Sequence, residues 1–157
     1  MTIYWGMRSM FVWPSLDSVQ QNDLLNDMTT ELVGALPPGW VELMIDYRQV
    51  GRNPDVAVGV RGPDGRDRVW DPPTDVWRMF QRLRGGMYRQ DEGTWFSARY
   101  QLQAPSRFTI QYNWTNEPDF QPYPDLSHFA KEQEAFPRAE AYMPPWFRER
   151  LAAATRS

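Results

Sequence analysis

Phe96-Ser97-Ala98-Arg99-Tyr100-Gln101-Leu102-Gln103 alternates apolar and polar side chains, and Phe108-Thr109-Ile110-Gln111-Tyr112-Asn113-Trp114 repeats the pattern after Ala104-Pro105-Ser106 and Arg107. Successive strand residues point to opposite faces of a sheet, so each run collects its large rings on one face. A short proline-containing turn returns the second run beside the first. This stretch, opening at Gly93, predicts an antiparallel hairpin with one buried and one solvated face.

The same period recurs upstream. Between Trp40 and Val50, the residues Val41, Leu43, Ile45 and Tyr47 alternate with Glu42, Asp46 and Arg48. Gly51-Arg52-Asn53-Pro54 turns the chain into Asp55-Val56-Ala57-Val58-Gly59-Val60, and Gly62-Pro63-Asp64-Gly65 turns it again toward a strand beginning at Arg68-Val69-Trp70. Helical spacing appears elsewhere. Leu25, Met28, Leu32 and Leu36 form one apolar face, which Pro37-Pro38-Gly39 ends. Val76, Phe80, Leu83 and Met87 form another, after a candidate N-cap at Thr74. Arg78, Arg82, Arg84 and Arg89 dominate the rest of that helix, which Gly85-Gly86 weakens or ends. The last third predicts helices from Asp125 to Ala135 and from Trp146 to Ala153. The order predicts an α+β fold: an antiparallel sheet of five to six strands with helices packed mainly on one face.

The 157 residues are read as one domain, with residues 1–20 a possible N-terminal extension. The aromatic content, 15%, is high, and large rings serve cores and interfaces alike. Trp70, Trp77, Trp95, Trp114 and Trp146 are read mainly as core. No apolar run approaches a bilayer span and no signal peptide is legible at the start, so the expectation is a cytoplasmic protein that does not enter a membrane. Cysteine is absent, and the sole imidazole is His128, so neither a thiolate nor a nitrogen–sulfur zinc cage is expected. The net charge of −3 disfavours a nucleic-acid partner. That balance hides blocks: residues 48–90 carry nine Arg against five acids, and residues 91–140 carry four cations against eight acids. Separated blocks can steer a charged partner.

Nothing in the pattern converges as a nucleophile, acid–base pair or metal set would, so no catalytic residue, metal or cofactor is expected. Two sites at most deserve the question. His128 lies in a predicted helix, and the carboxylates Asp91-Glu92 and Glu117 with Asp119 lie in predicted turns.

Leu36-Pro37-Pro38-Gly39-Trp40, Leu83-Arg84-Gly85-Gly86-Met87-Tyr88, Gly93-Thr94-Trp95-Phe96, Glu117-Pro118-Asp119-Phe120, Phe136-Pro137-Arg138 and Pro145-Trp146 follow one another in fixed order. This ordered set resembles the YezG-like (DUF600) family of bacterial antitoxin or immunity proteins over about Leu25 to Leu151, and most of all its mycobacterial members. The resemblance implies a non-catalytic protein that forms a 1:1 heterodimer with a cognate secreted toxin domain. For the mycobacterial members the implied target is an NAD-hydrolysing necrotizing toxin. Immunity contacts do not follow from the shared motifs. On electrostatic grounds the toxin-facing set is expected to be Asp91, Glu92, Glu117 and Asp119, with Phe120 or Tyr123 as a nearby apolar anchor. A pocket among the aromatics, used by a small ligand or an enzyme, is the alternative.

Overall fold

The computed structural model describes residues 14–156; the expectation for an extension over residues 1–20 therefore falls largely outside the described residues. Helix α1 (Ser18–Ala35) starts at a reciprocal cap in which Asp17 Oδ1 accepts from the Gln20 N–H at 2.8 Å and Gln20 Oε1 accepts from the Asp17 N–H at 2.9 Å. Strands β1 (Glu42–Val50) and β2 (Asn53–Arg61) form a hairpin, and β3 (Asp67–Arg68) adds a short edge. Helix α2 (Asp75–Gly86) then crosses over to the hairpin of β4 (Ser97–Gln103) and β5 (Arg107–Asn113). Helix α3 (Ser127–Ala135), a 3₁₀ turn (Glu140–Tyr142) and α4 (Pro145–Arg156) complete the chain. The five strands lie in the order β3-β2-β1-β4-β5, all antiparallel. The fold is α+β, as the period of the sequence implies.

The main core lies between one sheet face and the first two helices. Leu25, Met28, Leu32 and Leu36 descend from α1, and Val76, Phe80 and Leu83 from α2. They meet Leu43, Ile45 and Tyr47 of β1 and Ala98, Tyr100 and Leu102 of β4. Phe80 stacks on Tyr47 with ring centroids 4.9 Å apart and meets Tyr100 edge-on at 6.4 Å. A second cluster of Val50, Phe96, Phe120, Phe129 and Phe147 sits where β1 ends and β4 begins, beneath α3 and α4. The opposite sheet face is polar and laced with cross-strand pairs, including Asp46–Arg99 at 2.8 Å and Arg48–Asp55 at 3.2 Å.

Several local expectations need correction. Val41 precedes β1 and is exposed, while Asn53 and Pro54 belong to β2 rather than to the turn. The strand expected at Arg68-Val69-Trp70 ends at Arg68, and Val69 is 90% exposed. Thr74 has helical backbone angles and makes no side-chain cap bond. Helix α2 continues through Gly85 and Gly86, because close packing needs the absent side chains: a Cβ on Gly86 would collide with Leu16.

Strand β4 also changes phase at its start. Ser97 is in register with Asn113, yet the Phe96 N–H donates to that same Asn113 carbonyl at 2.8 Å. Two residues thus face one, as in a bulge. Trp95 consequently points into the main core and Phe96 into the second cluster.

Burial pushes the Tyr47, Tyr100 and Tyr112 hydroxyls up to about 12, with the positive charge of Arg84 partly offsetting it at Tyr47. Their unfolded counterparts ionise near 10. Folded pKa values above the unfolded ones mean stability that is intact below pH ~10 and lost as pH rises through about 12. The urea midpoint is therefore expected to hold steady up to pH ~10 and then fall; an unchanged midpoint to pH ~12 would contradict this burial.

Candidate functional site

Two buried arginines tie the two cores together and shape the surface above them. Arg84, on α2, is 1% exposed, and so is Glu132 on α3. The Arg84 Nη2 donates to Glu132 Oε2 at 2.6 Å and to the Gln49 carbonyl at 3.1 Å, while its Nε donates to the Trp95 carbonyl at 2.9 Å. The second Glu132 oxygen accepts from the Gly51 N–H at 2.8 Å. Gly51 turns the β1–β2 hairpin at φ 59°, and a Cβ there would strike the His128 carbonyl, so glycine is required twice over. One ion pair thus fixes helix α2, the end of β1, the entry to β4, and helix α3. Arg84, expected with the other arginines outside the apolar stripe of its helix, is instead part of the interior.

Arg138 forms the second tie. Its guanidinium lies 4.5 Å over the Phe96 ring and donates to three carbonyls: Thr94 at 2.8 Å, Trp114 at 2.9 Å and Tyr142 at 3.0 Å. Burial holds its pKa below the usual arginine value, with the charge of Glu132 opposing that shift. Gly93, at φ 81°, leaves room for this side chain where any Cβ would collide with it. A strap from Tyr88 to Gly93 is thereby fastened to the segment after α3: the Asp91 carbonyl accepts from Ala139 at 2.7 Å, the Tyr88 hydroxyl donates to Pro137 at 3.1 Å, and Glu92 bridges Arg138.

A cleft of about 560 Å³ opens beside this tie. Trp114, Trp146, Tyr142, Met143, Pro144 and Pro145 supply its apolar walls, and Arg89, Glu92, Thr115, Asn116 and Arg138 its polar ones. The Arg89 guanidinium stacks 4.5 Å over Trp114, and Trp146 is oriented by its Nε1 donating to the Thr115 carbonyl at 2.7 Å. Ordered rings with one polar handle are the usual furniture of recognition surfaces.

The six residues expected to face a partner do not form one patch. Asp91 and Glu92 sit together on the strap, Asp91 exposed in the left-handed region at φ 67°, which Asp tolerates better than most residues, and Glu92 half-buried on the cleft rim. Glu117 is occupied: it pairs bidentately with Arg150 at 3.0 and 3.1 Å and accepts from the Tyr123 hydroxyl at 2.6 Å. Burial would raise the Glu117 pKa, but those two partners together lower it. Tyr123 is exposed and packs against Phe129, and burial with the Glu117 bond pushes its hydroxyl up to about 12. Asp119 lies elsewhere, at a shallow depression on the polar sheet face beside Arg48 and Arg99. Phe120 needs correction: only 5% exposed, it belongs to the second core and is closed to a partner.

His128 is half-buried, and its enclosed Nδ1 has no hydrogen-bond partner among the described residues. Among the described residues no three His, Asp or Glu side chains gather where a metal ion could sit. Among them, too, no helix is long and apolar enough to cross a membrane. Trp95 is wholly core, whereas Trp70, Trp77, Trp114 and Trp146 are half-buried. No protein-family model matches the chain, and no curated protein matches it either. The likeness to the YezG-like family therefore stands on the ordered residues alone.

Proposed function

We propose that this chain is an immunity protein. It binds a cognate secreted toxin domain 1:1 inside the producing cell and silences it by covering the toxin's substrate cleft. The observation that supports this most is the double tie of Arg84–Glu132 and Arg138. It holds a strap and an aromatic cleft in one geometry, so little ordering entropy is lost when a partner docks. Following the resemblance, the target is a toxin that hydrolyses NAD. A cleft that receives a dinucleotide's phosphates carries positive potential, and the acidic strap at Asp91 and Glu92 is the complement of that potential.

Co-purification with a toxin domain encoded beside this gene tests the reading. A stoichiometric complex without toxin activity supports it, and toxin that stays fully active in excess of this chain refutes it. The placement on the strap has its own test. Asp91→Asn with Glu92→Gln removes both charges, and Asn accepts the left-handed backbone. Association is expected to slow about tenfold and to lose its dependence on salt. Unchanged association kinetics in the folded double variant would move the contact elsewhere.

One observation favours a second reading, a small-ligand protein or enzyme. The cleft is large enough for a small molecule, and Trp114, Trp146 and Arg89 could stack on a planar group. Quenching of tryptophan fluorescence by NAD or another nucleotide, or its turnover by the purified chain, would support this reading over the first.

A further inference from the structure

The two edges of the sheet are built differently. At one edge β3 is two residues long, and Arg61–Asp67 and Arg68–Asp64 ion pairs surround it, the short charged border that discourages pairing. At the other edge β5 runs seven residues with a single charge, Arg107, and no proline. The direction of its backbone follows from the neighbouring ladder. Gln49 N–H donates to the Phe96 carbonyl, and Ala104 N–H to the Val41 carbonyl. In an antiparallel ladder a residue sends its N–H and C=O to the same neighbour, and the next residue sends both the other way. Ala98, Tyr100 and Leu102, lying between those two bonds in an unbroken register, therefore face β1. Ser97, Arg99, Gln101 and Gln103 face β5, through their partners Asn113, Gln111, Thr109 and Arg107.

Phe108, Ile110 and Tyr112 are thus left with N–H and C=O groups pointing away from the sheet. Among the described residues no backbone group meets them. The carbonyl of Trp114, next in the same row, is taken by Arg138, and the turn at residues 104–106 closes the other end. What remains is a bounded row of donors and acceptors at strand spacing, which another extended backbone satisfies in full.

We infer that this edge pairs with the same edge of a second copy of this chain, antiparallel about a two-fold axis at Ile110. The strand is complementary to itself in that register. Ile110 meets its own copy, Phe108 meets Tyr112, Thr109 meets Gln111, and Arg107 meets Asn113, so no like charges oppose one another. Phe108, Ile110 and Tyr112 are half-buried on the face that the helices cover, and pairing buries them further. The contact is isologous and closes on itself, joining the two sheets into one. It stands independently of the toxin-binding reading, since it uses neither the strap nor the cleft.

Sedimentation of the full chain over a range of concentrations tests this, together with crosslinking, for which the absence of cysteine leaves a clean background. The expected result is a concentration-dependent dimer that Ile110→Pro converts to a folded monomer, because among the described residues of one chain that N–H meets no backbone acceptor. Thr109→Pro, which removes a bond to β4, is expected to unfold the protein instead. With a short bifunctional thiol reagent, Ile110→Cys should crosslink to itself, and Phe108→Cys should crosslink efficiently only when mixed with Tyr112→Cys. A full chain that remains monomeric overturns the inference, as does a dimer that survives Ile110→Pro or a crosslinking pattern of another register. Unfolding by Ile110→Pro to the same extent as by Thr109→Pro also overturns it.

Discussion

Glu132→Ala is expected to lower the unfolding free energy by about 3–5 kcal/mol, because it leaves the Arg84 guanidinium buried without a counter-charge. Glu132 is 1% exposed and its two oxygens serve different elements, one the Arg84 guanidinium and the other the Gly51 N–H. Water cannot replace both functions at so enclosed a place. Replacing both partners, as in Arg84→Met with Glu132→Leu, removes the stranded charge and should recover much of the loss. Recovery will be incomplete, since the Trp95 and Gln49 carbonyls lose their donor. Chemical denaturation measures both variants. A Glu132→Ala loss below about 1 kcal/mol, the range of a surface ion pair, would show that the pair is solvated.

Phe80→Ala is the second large effect, again about 3–5 kcal/mol, through a different cause. Phe80 lies between the Tyr47 ring and Tyr100 and is wholly buried, so truncation removes a ring from contact with both central strands. The cavity lies between a helix and a sheet that other contacts hold apart, which limits its collapse. For a chain of this length the thermal midpoint should fall by about 10 °C. A fall of only a degree or two would mean that α2 can settle onto the sheet, contrary to the fixed spacing that Arg84 imposes.

The elements were legible wherever one face is buried and the other solvated. The alternation in β1, β4 and β5 and the stripes Leu25-Met28-Leu32 and Val76-Phe80-Leu83 record contacts with a nearby core, and they reappear in the structure. Arg84 was not legible, because its burial depends on a partner 48 residues away. One signal was present: Arg84 stands four residues after Phe80, inside the apolar stripe rather than beside it. Glu132 likewise stands three residues after Phe129, on the buried side of α3. A charged residue on an apolar stripe calls for a partner, and the two such residues answer each other.

The site was legible only in part. Asp91 and Glu92 are at the surface where turn composition places them, yet Glu117 is spent on Arg150 and Phe120 is core. The aromatic cleft is invisible in the sequence, because Trp114 and Trp146 come from segments far apart in the chain, joined by the Trp146 bond to the Thr115 carbonyl and by Arg138. Spacing reports neighbours along one helix or strand, and this candidate site joins the first turn of α4 to loop segments distant in the chain.

The most direct measurement is a titration of the neighbouring toxin domain's NAD hydrolysis with this purified chain. A stiff inhibitory surface predicts activity falling linearly to zero at one equivalent, with no NAD consumed by the chain alone. Toxin activity that persists past equivalence, or NAD consumed by the chain in the toxin's absence, would contradict it.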